Sequence, residues 1–75
     1  MFEVGKTYAT EDWTMGGTVV YECVKRENGF ARFESSWVSG KSITRLLKIH
    51  TDGHEEYVVL STMHGVEHKL YARRD

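Results

Sequence analysis

Apolar and β-branched residues in this chain come in short runs that alternate with polar ones, and glycine-containing turns separate the runs. The clearest case is GGTVVYECVKRENGFARFESSW, in which two β-prone runs flank Asn28-Gly29. That pair accommodates the positive φ angles of a type I′ turn, so the stretch predicts a β-hairpin with a two-residue loop. In this register Val24 lies opposite Phe33 and Val20 opposite Trp37, with Ala31 on the same core-directed face. The other face carries Lys25 opposite Arg32 and Cys23 opposite Glu34. Like charges side by side are tolerated where water screens them, so this face is expected to be wet.

A second hairpin is predicted from SITRLLKIH and HEEYVVLS around Asp52-Gly53. Leu46, Leu47 and Ile49 could also line one stripe of a short helix over Ser42 to His50, but its partner run is strand-prone and a strand is favoured. VEHKLYARR then pairs back as the third strand of a meander, EVGKTYAT supplies an N-terminal strand, and EDWTMGG links that strand to the first hairpin. The pattern predicts an all-β fold of five to six antiparallel strands, closed into a small SH3-like barrel or left as a strongly curved sheet. Its core is expected to contain Val20, Val24, Phe33, Leu47, Val58 and Leu60.

The chain has 75 residues, which is one domain (1–75) without room for a second domain or a large catalytic cleft. A composition that is 40% hydrophobic and 12% aromatic places it among folded proteins rather than disordered ones. The single cysteine allows neither a disulfide framework nor a four-thiolate zinc site. No apolar run approaches the ~18 residues of a spanning helix, and the opening residues lack a signal pattern, so a cytoplasmic protein without membrane contact is expected.

Net charge is −1, but it is unevenly spread: residues 21–50 hold six bases and three acids. Lys25, Arg26, Arg32, Lys41, Arg45 and Lys48 are interleaved there with Phe30, Phe33 and Trp37. That mixture lets small barrels hold phosphates and stack bases. Glu22, Glu27 and Glu34 lie in the same hairpin and weaken its field.

The segment KIHTDGHEEY places His50 and His54 four apart. The turn between them decides whether both could ligate a metal. A loop of Asp52-Gly53 points them to opposite faces, whereas Thr51-Asp52-Gly53 sets them across from one another. His64 and His68 lie six to ten strand residues away, on the order of 20 to 30 Å from His54. Turn histidines are therefore expected, with no metal or other cofactor. HEE lacks the second histidine of a metalloprotease motif, which would fall at Val58, and GKT and GKS are fragments of turns rather than phosphate loops. Cys23, in mid-strand, reads as an inert small hydrophobe. No nucleophile, base and orienting group converge, so no enzyme is expected.

The opening MFEVGKTY, with the compact strands and glycine turns that follow it, resembles small phage- or prophage-encoded proteins. The resemblance covers about eight residues and assigns no functional residue. It implies a stand-alone domain that blocks a larger host protein, in host takeover or in countering defence.

The function expected is a non-enzymatic protein-binding module. Phe30 follows the hairpin turn on the wet face beside Arg32 and Lys25, and aromatic and arginine side chains are the ones enriched in binding hot spots. These three, with Trp13 as a further candidate, form the expected partner surface. The alternative is a nucleic-acid-binding SH3-like or OB-like domain that uses Lys25, Arg26, Arg32, Lys41, Arg45, Lys48 and Trp37. A homodimer through an uncovered edge strand is left open.

Overall fold

The computed structural model describes residues 1–11, 17–37 and 40–72, with the backbone alone for Glu11, Trp37 and Met63. The described residues form eight strands and no helix. In one sheet β1 (Thr7–Glu11), β2 (Thr18–Glu27), β3 (Phe30–Trp37) and β4 (Gly40–Ile43) lie side by side in chain order, and β5 (Leu47–Lys48) pairs with the start of β3. In the other, β6 (His50–Asp52), β7 (Glu55–Met63) and β8 (Val66–Tyr71) form a meander. All pairings are antiparallel. The all-β class is as expected. The strands divide between two sheets, however, and no closed barrel forms among the described residues.

The expected single strand over 42–50 is the reason for the division. It breaks at residues 44–46, where Thr44 takes over as a local partner for β3. The Thr44 amide donates to the Phe33 carbonyl at 2.8 Å, and its Oγ1 accepts from the Phe33 amide at 3.1 Å. The buried Phe33 backbone thus keeps both its hydrogen bonds while the neighbouring strand buckles. Farther on, the Ile49 amide donates to the Gly29 carbonyl at 2.8 Å, and the chain then leaves the first sheet to pair with β7 as β6.

The first hairpin turns on Asn28 (φ 50°) and Gly29 (φ 80°), as the pattern predicted. Its register holds only near the turn. Glu27 faces Phe30, Arg26 faces Ala31 and Lys25 faces Arg32, but Cys23, not Val24, faces Phe33. Val24 is the extra residue of a β-bulge, and a one-residue slip exchanges the two faces of the strand beyond it. Two expectations are corrected as a result. Val20 is 50% exposed, and Cys23 moves from the wet face into the core. Val24 is half-buried.

The core consists of Phe2, Tyr8, Cys23, Ala31, Phe33, Val58 and Leu70, with Leu47 and Leu60 half-buried against it. Phe33 and Val58 were expected there, whereas Phe2 lies ahead of the first strand and was not. Its ring meets Tyr8 at 4.9 Å and Phe33 at 5.0 Å, both edge to face. The buried Tyr8 hydroxyl accepts from the Glu3 amide at 2.8 Å and donates to the Met1 carbonyl at 3.2 Å, which ties the segment before β1 to the strand itself.

Candidate functional site

The outer face of the first sheet, opposite the buried Ala31, Phe33 and Ser35, is where β3 presents Phe30, Arg32 and Glu34. At the hairpin end Phe30 is flanked by Glu27 on β2 and by Lys48 on β5, and Arg32 is flanked by Lys25. The bulge lies beyond this end, so the placement expected for Phe30, Arg32 and Lys25 on one wet face is the one observed. Phe30 is 41% exposed, a large apolar surface among three cations. Lys25 reaches Glu27 at 3.7 Å, with both side chains about half exposed, an ion pair of small energetic weight. Arg32 is half-buried, and its shielded Nε finds no acceptor among the described residues.

The broader basic set is dispersed. Arg26 stands opposite Ala31, on the core side of the sheet margin, and both terminal nitrogens of its guanidinium are engaged. Nη1 donates to Glu56 Oε1 at 2.7 Å and to the Phe2 carbonyl at 3.1 Å, and Nη2 donates to Glu56 Oε2 at 2.9 Å. Glu56 Oε1 also accepts from the Phe2 amide at 2.9 Å. Hydrogen bonding to Arg26 lowers the Glu56 carboxyl to about 2, and the same bond raises the Arg26 pKa. Lys41 lies at the other end of β3, opposite Ser36, and reaches Glu34 at 3.3 Å. Arg45 is exposed in the segment between β4 and β5. Trp13 lies outside the described residues, as does the side chain of Trp37.

The histidine question is answered by a turn that neither expected register contains. Asp52 pairs with Glu55, so the two-residue loop is Gly53-His54, with Gly53 at φ 64° in the first central position as in a type II′ turn. His54 is therefore in the turn and His50 faces Tyr57. His50 stacks on that ring at 5.2 Å, Tyr71 lies 5.4 Å from it on the other neighbouring strand, and Lys69 Nζ sits 4.9 Å from its centre. This row crosses all three strands of the second sheet on the face opposite Val58 and Leu70, and it stabilises their pairing. Sequence reasoning missed it because the row follows only from the correct turn. No group of three potential metal ligands is gathered among the described residues.

Cys23 is wholly buried, and its thiol lies 3.7 Å from the Lys25 carbonyl. Burial raises its pKa, which disfavours the thiolate that nucleophilic chemistry requires. No helix among the described residues is long and apolar enough to cross a membrane. No known protein family, characterised protein or solved structure matches the chain.

Proposed function

We propose that the protein is a non-enzymatic binding module that docks on a larger protein through the β2–β3 hairpin tip. The observation that carries this is the exposed Phe30 ring on one face with Arg32, Lys25 and Lys48. A buried aromatic anchor with a neighbouring arginine is the usual centre of a protein interface, and the surplus of cations over the one acid there, Glu27 paired with Lys25, favours a partner whose rim is acidic. In the phage setting that the opening residues suggest, that partner would be a host protein. Nucleic-acid binding is the weaker alternative because three of its six proposed cations are in ion pairs: Arg26 with Glu56, Lys41 with Glu34 and Lys25 with Glu27.

The test is partner capture followed by titration with Phe30→Ala and Arg32→Ala. Each is expected to weaken binding at least tenfold, about 1.4 kcal/mol, while thermal stability stays within roughly 0.5 kcal/mol of the parent. Early melting of Phe30→Ala with normal capture by the folded fraction would make Phe30 a structural residue and refute the site. Affinity for single-stranded nucleic acid that falls by orders of magnitude between about 50 and 200 mM salt would favour the alternative.

A further inference from the structure

The far edge of the first sheet is open. Among the described residues no strand lies beyond β4, and all four of its residues are exposed. The β3–β4 register together with the Thr44 to Phe33 hydrogen bond identifies which backbone groups face outward. Hydrogen-bonded pairs alternate along an antiparallel ladder, so the bond from the Thr44 amide to the Phe33 carbonyl makes Ser42/Ser35 and Gly40/Trp37 the pairs that exchange bonds. The intervening Lys41 and Ile43 turn their N–H and C=O groups away from β3. The side chains of these two residues share the outer face with Glu34 and Ser36, and that of Ile43 leaves the residue 62% exposed.

We propose that β4 is a self-association edge, and that a second copy of the chain adds its own β4 antiparallel to it about a two-fold axis. The edge is self-complementary, which suits it to a second copy. If Lys41 of each copy pairs with Ile43 of the other, with the axis between the two Ser42 residues, every outward N–H and C=O of Lys41 and Ile43 gains a partner. The register with Lys41 opposite Lys41 would set like charges together and is disfavoured. An edge lysine ordinarily guards against such pairing, but here the Lys41 ammonium is drawn back to Glu34 at 3.3 Å within its own sheet. The lysine stem is then free to lie along the second copy's isoleucine. An axis normal to the sheet puts the hairpin tips of both copies on the same face, so the pair would present two Phe30 anchors to a multivalent target. The pairing does not depend on what the tips bind.

So short an edge belongs with weak, transient contacts, below ~1,200 Å² of buried surface. Sedimentation of the full chain up to about 1 mM is expected to show reversible dimerisation, given that weak class. Ile43→Pro removes one outward N–H without touching the bonds to β3, and should weaken the dimer at least tenfold while leaving the melting temperature unchanged. Ser42→Cys places two thiols across a non-hydrogen-bonded pair, where Cα atoms approach to ~4.5 Å and a disulfide fits. It should form cross-linked dimer at least tenfold faster than Thr62→Cys, an exposed position away from this edge; the native Cys23 is buried and does not compete. A wild-type chain that stays monomeric throughout, with Ser42→Cys no faster than Thr62→Cys, overturns the proposal. So does a dimer unaffected by Ile43→Pro in a folded variant. If Ile43→Pro fails to fold, the cysteine comparison alone decides.

Discussion

Replacing Phe33 by alanine is expected to cost about 3 to 5 kcal/mol, the range for deleting a fully buried ring. Phe33 has no exposed surface, faces Cys23 across the hairpin and holds the edge of the Phe2 ring. The vacated space cannot collapse easily, because Thr44 and the β2 ladder pin the Phe33 backbone on both sides. A domain of this size has a total stability of roughly 4 to 11 kcal/mol, so the variant should be marginal or largely unfolded at room temperature. Urea titration followed by circular dichroism measures this directly. Val20→Ala is the informative companion. With Val20 half exposed it should cost no more than about 0.5 kcal/mol, whereas the unbulged hairpin would bury it and make both changes costly.

The second large effect is expected at Glu56. Its carboxylate accepts from Arg26 Nη1 and Nη2 and from the Phe2 amide, so it joins β2 of one sheet, β7 of the other and the segment that carries the Phe2 plug. Glu56→Ala strands a partly buried guanidinium and a backbone donor. The Arg26 and Glu56 side chains retain 29% and 19% exposure, so the cost should be about 2 to 3 kcal/mol, below that of breaking a fully buried pair.

The same interaction makes stability depend on acid. The folded carboxyl titrates at about 2 against an ordinary 4.5. Its contribution, about 2 to 3 kcal/mol after allowance for solvent screening, is fully present above the unfolded value and is lost as pH falls from 4.5 towards 2. In that window the unfolded chain takes up the proton first. Melting temperatures of wild type and Glu56→Gln should therefore lie farthest apart above about pH 5, where the unfolded carboxyl is ionised, and converge in acid. A separation that does not change with pH would show that the charge of Glu56 is not what holds the clamp.

The candidate site was more legible than the core because it lies between the type I′ turn and the bulge. From Asn28-Gly29 alone, alternation places Lys25, Phe30 and Arg32 on one outer face, and the ladder agrees up to Lys25. Lys48 joined them only when β5 paired with the start of β3. Beyond Val24 the same alternation gives the wrong face, and it exchanged Val20 and Cys23. The second hairpin shows the same sensitivity at its turn. Asp52-Gly53 and Gly53-His54 are both acceptable loops locally, and what separates them is the pairing of His50 with Tyr57 and the burial of Val58 beneath it.

By itself the sequence determined the all-β class, the Asn28-Gly29 hairpin, the meander from His50 to Tyr71 and the exposed hairpin tip. Each of these rests on interactions between near neighbours: turn residues that accept positive φ and side chains that alternate every second position. Tertiary structure alone decided the bulge, the break at 44–46 that divides the strands between two sheets, the Phe2 plug and the Arg26–Glu56 clamp. These depend on partners far apart in the chain. A bulge is selected by the packing of the whole sheet, and a carboxylate on β7 can hold an arginine on β2 only after both sheets have closed over the same core.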